Sequence, residues 1–205
     1  MLDAALNQLP LVAILRGVKP DEVEAIADAL YAEGFRVIEV PLNSPDALDS
    51  IARLARRMPA DAVIGAGTVL SAQAVADVEA SGGRVIVMPH ADVAIIRAAK
   101  ARGLFCVPGA ATPTEAFAAV NAGADAVKLF PAELVTPVVV KAMRAVLPRE
   151  LRLLPVGGIT PDTMAPYVKA GAAGFGLGSA LYSPGLSAAE VGQRARDFAQ
   201  AWRRL

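Results

Sequence analysis

The sequence predicts a single-domain α/β protein, a (β/α)8 TIM barrel with a short N-terminal helix, on three observations. Short apolar runs alternate with amphipathic segments over the whole of residues 1–205, which we interpret as one domain. The apolar runs are nearly continuous, which is typical of parallel strands buried on both faces. Polar residues or glycines follow almost every run, at the strand ends where barrel enzymes hold their active sites. The structural alternative is an open, doubly wound sheet.

The N-terminal half contains a leading helix, predicted over Leu2–Gln8, and four β–α units. Helix-end signals accompany the units: Pro20 stands near the start of one helix, Gly34 follows its end, and Ser71 is placed to cap another. The strands are predicted over Leu11–Leu15, Val37–Leu42, Val63–Leu70 and Arg84–Met88, and the helices after them over about residues 20–34, 45–58, 71–82 and 92–101.

The C-terminal half repeats this pattern with four more units. Thr112 and Glu115 have the spacing of a helix capping box. The uncharged run Gly171–Ala189 is long enough to span a membrane, but five glycines and Pro184 interrupt it, so it is interpreted as a strand and a turn. The strands are predicted over Leu104–Val107, around Lys128, over Leu151–Val156 and Gly174–Leu177, and the helices from Thr112 and over Pro137–Val146, Thr160–Ala170 and Ser187–Arg204.

Composition narrows the class of function. With 20 basic and 20 acidic residues the net charge is zero, which argues against nucleic acids and membranes as partners. The single histidine, His90, excludes a multi-histidine metal site. The single cysteine, Cys106, lies in an apolar run and predicts a buried free thiol in a reducing cytoplasm. Residues 1–10 lack the pattern of a signal peptide.

Two charged residues interrupt otherwise apolar strands. Lys128 stands between Val127 and Leu129, and Glu39 occupies the corresponding place in the second strand. Because neighbouring strand residues point to opposite faces, both charged side chains are predicted to face the barrel axis. Burial lowers the pKa of a lysine and leaves more of it as the nucleophilic amine, so Lys128 is a candidate Schiff-base residue with Glu39 as its acid or base. A structural ion pair is the alternative interpretation.

Short glycine-containing pairs follow the last two predicted strands. Gly157 and Gly158 come after the seventh strand, and Gly178 and Ser179 come after the eighth. Barrels often bind phosphate at these two loops, where glycine lets backbone N–H groups approach the anion, and Ser179 would add a hydroxyl donor. Ordinary tight turns would produce the same glycines.

Other polar residues at strand ends are further candidates. Arg16 ends the first strand and has the planar donor fork that suits a carboxylate or a phosphate, although a surface ion pair would also explain it. Thr68 could donate to a carboxylate or cap the next helix. His90 could transfer protons.

The arrangement of these residues in the sequence resembles that of one family, the 2-keto-3-deoxy-6-phospho-sugar-acid aldolases, which are class I pyruvate aldolases of the Entner–Doudoroff type. The similarity extends over nearly the whole chain. The segments that carry it are Ala13–Gly17, Ile38–Val40, Ile64–Val69, Val107–Gly109, Val127–Pro131, Val156–Ile159 and Leu177–Ser179.

The resemblance implies a carbon–carbon lyase that forms a Schiff base at Lys128, uses Glu39 as proton shuttle and needs no cofactor. It implies that Arg16 and Thr68 lie near the pyruvate carboxylate, that Gly158, Gly178 and Ser179 hold the phosphate beside Gly157, and that the protein is a homotrimer. Its implied ligands are a phosphorylated keto-deoxy sugar acid and pyruvate.

Two positions indicate a branch of this family. The glucose-derived branch usually has Thr-Leu-Arg-Thr after the glutamate and a threonine before the paired glycines, whereas this chain has Pro41–Pro45 and Val156. Both features resemble the galactonate branch. Because Val156 lacks a hydroxyl donor, activity on the C4-epimeric gluconate substrate, or on both epimers, is the alternative. A metal-dependent epimerase and a non-catalytic sugar-phosphate-binding barrel are the other functions considered.

Overall fold

The computed structural model describes residues 1–205 and consists of parallel strands that alternate with helices. The helices are α1 Leu2–Gln8, α2 Val23–Ala32, α3 Ala47–Arg57, α4 Ala72–Ala80, α5 Val93–Ala101, α6 Pro113–Asn121, α7 Pro137–Arg144, α8 Met164–Lys169 and α9 Ala188–Arg203. The strands are β1 Leu11–Ile14, β2 Val37–Pro41, β3 Val63–Gly67, β4 Val85–Val87, β5 Phe105–Val107, β6 Gly109–Ala110, β7 Ala126–Leu129, β8 Arg152–Pro155 and β9 Phe175–Leu177.

The strands form two parallel sheets, which confirms the predicted α/β class. A six-stranded sheet has the order β5-β4-β3-β2-β1-β9, and a three-stranded sheet has the order β6-β7-β8. Backbone bonds join the sheets at one border, from Asp125 N to Cys106 O (3.0 Å) and from Lys128 N to Pro108 O (2.9 Å). At the other border Val156 and Gly176 form a parallel bridge.

Local chemistry explains where the elements differ from the predicted bounds. The fifth strand continues beyond its predicted end as β6, and the break between them falls at Pro108, which has no N–H to donate to the ladder. The third strand ends at Gly67 rather than Leu70, because Thr68 adopts a left-handed φ of 55°. The predicted helix over Thr160–Ala170 is divided into a 3₁₀ turn and α8.

The helix caps follow the predicted chemistry. The Ser71 hydroxyl accepts a bond from Ala74 N at 3.1 Å, at the start of α4. Thr112 and Glu115 form both bonds of the capping box at the start of α6. No helix is both long and apolar enough to cross a membrane.

The strands have an apolar inner face that α1 covers at one end. Leu2, Ala5 and Leu6 of α1 belong to one buried cluster with inward residues of the strands, namely Val12, Val37, Val63, Val85, Val87, Val107, Ala126 and Leu154. Glu39 is two residues after Val37 and Lys128 two residues after Ala126, so both share this inner face. The site residues therefore stand above an apolar, closed floor.

The larger core lies between the strands and the helices. Its 54 buried residues include Ile38 and Val40, which flank Glu39, and Val127 and Leu129, which flank Lys128. The alternation predicted from the sequence is thus present on both strands, and the two charged side chains point away from the helices.

Candidate active site

A pocket of about 430 Å³ opens at the ends of the strands, and we call it the mouth pocket. It brings together most of the predicted site residues, namely Arg16, Lys128, Val156, Gly157, Gly158, Gly178 and Ser179. A cavity of about 20 Å³ lies beneath it and is lined by Lys128, Val156 and Glu39. Lys128 therefore connects the open pocket to the buried acid.

Lys128 extends from β7 and is 6% exposed. Burial lowers the pKa of its ammonium, nearby Arg16 lowers it further, and Glu39 opposes the shift. The Nζ atom lies 4.6 Å from the centroid of the Phe130 ring. This environment increases the fraction of free amine relative to that of a surface lysine.

Glu39 extends from β2 and is 1% exposed. Its Oε2 atom is buried and has no hydrogen-bond partner. Burial raises the pKa of the carboxyl to about 7, against the attraction of Lys128 and Arg16. On neighbouring β3, a β-carbon at Gly67 would collide with this carboxylate. The absence of a side chain at Gly67 therefore makes room for the acid.

Lys128 and Glu39 do not form the structural ion pair that was the alternative interpretation. No ion pair within 4.0 Å joins them, although the charge of each affects the pKa of the other. Two buried ionisable groups with shifted pKa values thus line one cavity, but their side chains are not paired with each other. This combination is more typical of a reactive site than of a structural one.

Arg16 is exposed at the mouth and is held by two neighbours. Its Nη1 donates to Asn43 Oδ1 at 2.6 Å, and its Nη2 donates to Thr68 Oγ1 at 3.4 Å. The next residue, Gly17, donates its N–H to Ser44 Oγ at 2.9 Å. Thr68 itself does not line the mouth pocket, so the structure places it behind Arg16.

The glycine loops present free donors to the same pocket. The backbone N–H groups of Gly157, Gly158, Gly178 and Ser179 donate to no acceptor in the chain. Gly157 and Gly158 have φ values of 118° and 60°, which other residues rarely adopt, so these turns favour glycine. Unpaired N–H groups around a pocket are suited to an anion.

Two polar candidates lie outside this arrangement. His90 is exposed and lines neither the mouth pocket nor the cavity below it. Cys106 is a buried free thiol whose pKa burial raises to about 12, as expected for a core residue. No cluster of three or more histidine, cysteine, aspartate or glutamate side chains is arranged to hold a metal ion.

Sequence reasoning did not single out Phe130, Glu133 and Tyr182, which are among the residues that line the mouth pocket. Phe130 directly follows the Lys128 strand, so its position in that motif was an available signal. Tyr182 is buried and donates its hydroxyl to Glu22 Oε1 at 3.0 Å, a contact between distant parts of the chain. No periodicity in the sequence predicts such a contact.

Comparison with known proteins gives a consistent result. The profile of the KDPG and KHG aldolase family matches residues 2–196. The chain is 48% identical to a probable 2-dehydro-3-deoxy-6-phosphogalactonate aldolase of Rhizobium meliloti (strain 1021), over 91% of this chain and 88% of that one. It is 44% identical to the 2-dehydro-3-deoxy-6-phosphogalactonate aldolase of Escherichia coli (strain K12), over 96% of both chains.

Solved structures agree with the sequence matches. A native KDPGal structure aligns with a TM-score of 0.94 at 44% identity, over 96% of both chains. A KDPG aldolase from Legionella pneumophila, with pyruvate captured as a covalent carbinolamine intermediate, aligns with a TM-score of 0.82 at 26% identity, over 98% of this chain and 96% of that one.

Proposed function

Since the chain belongs to the KDPG and KHG aldolase family, we propose that it cleaves 2-dehydro-3-deoxy-6-phospho-D-galactonate reversibly to pyruvate and D-glyceraldehyde 3-phosphate. The observation that carries this proposal is the buried Lys128, which faces the buried Glu39 without an ion pair at the floor of an open pocket. The relatives with 44–48% identity support the galactonate substrate.

We further infer that the two sheets close into one (β/α)8 barrel. The backbone bonds at Cys106 and Pro108 support closure at one border, and the bridge between Val156 and Gly176 supports it at the other. With β5 and β6 counted as one interrupted strand, the parallel strands number eight, as the sequence predicts. Closure explains why the strand ends surround a single pocket.

The first chemical step joins Lys128 to the substrate. Its free amine attacks the C2 carbonyl, and the resulting carbinolamine takes up a proton and loses water to form an iminium ion; the final hydrolysis of the iminium releases that proton again. The iminium accepts the electron pair of the C3–C4 bond far better than the ketone does. The lowered pKa of Lys128 supports this role, because only the neutral amine is nucleophilic.

Glu39 then takes up one proton and later gives it back. Its carboxylate removes the proton of the C4 hydroxyl, directly or through water, as the C3–C4 bond breaks and glyceraldehyde 3-phosphate leaves. The electron pair of that bond forms an enamine. The protonated Glu39 returns its proton to C3, and water hydrolyses the iminium to pyruvate and free Lys128. A pKa of about 7 suits a group that both takes and gives a proton near neutral pH.

The two ends of the substrate are assigned to opposite parts of the mouth pocket. Arg16, held by Thr68, binds the carboxylate end, while Gly157, Gly158, Gly178 and Ser179 bind the phosphate. The free N–H groups of the glycine loops support the second assignment. Binding energy at the distant phosphate would then hold C2 against Lys128.

Val156 bears on the choice of epimer. It lines both the mouth pocket and the cavity that contains Glu39. Valine offers no hydroxyl donor, so the site binds one C4 configuration only slightly better than the other. The alternative to a strict galactonate aldolase is therefore an enzyme that also cleaves the gluconate epimer. The KDPG aldolase from Legionella, at 26% identity, is the more distant match. Comparing kcat/KM for the two C4 epimers decides between them.

We also propose an oligomeric state and a cellular location, each from a single kind of observation. A homotrimer fits the apolar side chains that are exposed around the start of α7, Leu134 at 65% and Val138 at 79% exposure. The free thiol of Cys106 supports a reducing, cytoplasmic location. Neither a metal nor an organic cofactor takes part in the proposed steps. Light scattering measures the assembly directly.

Borohydride trapping tests the Schiff base. Reduction in the presence of pyruvate should attach a pyruvate-derived group to Lys128, identified by peptide mass spectrometry. Lys128→Arg should give no adduct, while Lys141→Arg, which changes an exposed lysine of α7, should give the wild-type amount. If wild-type protein binds pyruvate without forming an adduct on Lys128, the Schiff-base proposal is wrong and the non-catalytic sugar-phosphate-binding barrel gains support.

A further inference from the structure

Glu133 is the one acidic side chain among the residues that line the mouth pocket. Its position is set by the preceding residue, Ala132, whose backbone N–H and C=O groups both form hydrogen bonds. The N–H of Ala132 donates to Val156 O at 2.9 Å, and the Tyr167 hydroxyl donates to Ala132 O at 2.8 Å. The start of the Glu133 side chain is therefore held beside the end of β8.

The Glu133 carboxylate lies against the paired glycines. A β-carbon at Gly158 would lie 3.2 Å from one carboxylate oxygen, and a β-carbon at Gly157 would contact the other. The carboxylate nevertheless accepts no hydrogen bond and forms no ion pair in the chain. A free negative charge thus borders the free N–H groups to which the phosphate is assigned.

This charge opposes the binding of an anion. The nearest cations that line the same pocket, Arg16 and Lys128, belong to the carboxylate end and to the reacting centre. Arg194 approaches the phosphate loops, but it donates to Ser179 O at 3.3 Å. A phosphate dianion on the Gly157–Gly158 loop is therefore repelled by Glu133 at short range, and open solvent screens this repulsion only in part.

We propose that Glu133 limits affinity for the phosphate group and so promotes release of glyceraldehyde 3-phosphate. The inference rests on the proposed function. Substrate and product carry the same phosphate, so tighter phosphate binding would hold both and would not favour the transition state. A weakened phosphate site retains the positioning of the substrate while it shortens the lifetime of the product complex.

Inhibition by inorganic phosphate and by pyruvate tests the inference in Glu133→Gln at constant ionic strength. The variant should lower the phosphate inhibition constant by about threefold or more, because one like charge is removed. Its KM should fall by a similar factor, and pyruvate inhibition should stay unchanged. Glu133→Asp keeps the charge and Glu150→Gln removes an exposed charge outside the pocket, so both should remain within about twofold of wild type.

The possible results distinguish a failure of this inference from a failure of the proposed function. An unchanged or higher phosphate inhibition constant in Glu133→Gln overturns the inference. A higher KM with unchanged phosphate inhibition also overturns it, because Glu133 would then accept a bond from a substrate hydroxyl. If wild-type protein turns over but phosphate does not inhibit it, the assignment of phosphate to the glycine loops is wrong.

Discussion

Replacement of Glu39 by glutamine should reduce activity and raise stability at once. Burial raises the pKa of Glu39 from 4.5 to about 7, which corresponds to about 3 kcal/mol at 1.36 kcal/mol per unit. The folded protein thus holds this proton more tightly than the unfolded chain. Glu39 therefore costs no stability below pH 4.5, costs progressively more between pH 4.5 and 7, and costs the full amount above pH 7.

Urea unfolding at about pH 5 and pH 8, at one protein concentration, measures this cost. Glu39→Gln keeps the shape of the side chain but cannot ionise. Its free energy of unfolding should exceed that of wild type by up to about 3 kcal/mol at pH 8 and by less than about 1 kcal/mol at pH 5. Glu150→Gln, at an exposed position, should show no such dependence on pH.

The same variant should cleave substrate about 10² to 10⁴ times more slowly, which is the usual contribution of a positioned acid or base. Wild-type kcat/KM should rise with pH through about 7 as Glu39 ionises, and the variant should lose the part of the pH dependence that is due to Glu39. A stability difference that is equal at both pH values would refute the shift in pKa. Wild-type turnover in Glu39→Gln would refute the proton transfer, whatever the stability shows.

Three further substitutions test neighbouring parts of the site. Val156→Thr adds a hydroxyl at the pocket wall, and kcat/KM for the gluconate epimer relative to the galactonate epimer should rise about tenfold. Arg16→Lys loses the planar fork that bonds to Asn43, so KM in steady-state assays should rise about tenfold, with a smaller change in kcat. Gly67→Ala brings a β-carbon into collision with the Glu39 carboxylate, so it should lower the free energy of unfolding by about 1–3 kcal/mol in urea and reduce turnover.

The features that follow from local periodicity could be predicted from the sequence. The inward direction of Lys128 and Glu39 follows from the alternation of a strand, and the apolar residues on either side of each indicated burial. The paired glycines likewise marked turns that other residues adopt only with strain. These are short-range properties, so they need no knowledge of which strands become neighbours.

The features that depend on contacts across the fold could not be predicted. Arg16 and Asn43 are 27 positions apart, and only the pairing of β1 with β2 brings their strand ends together. No signal in the sequence marked Glu133, because its relation to Gly157 exists only after β7 and β8 have paired. The strand break at Pro108 had a local cause, but the strand resumes beyond it as β6 only because β6 pairs with the neighbouring β7.

The shifted pKa values at the mouth also depend on residues at the opposite end of the strands. Leu2 and Leu6 of α1 pack against the inward residues beneath Glu39 and Lys128 and line the small cavity with them. Without this cover, water would reach the inner face from below, and desolvation is the main cause of both shifts. The N-terminal helix contributes no polar group to the pocket, yet it maintains the dry surroundings on which the proposed reactivity of Lys128 depends.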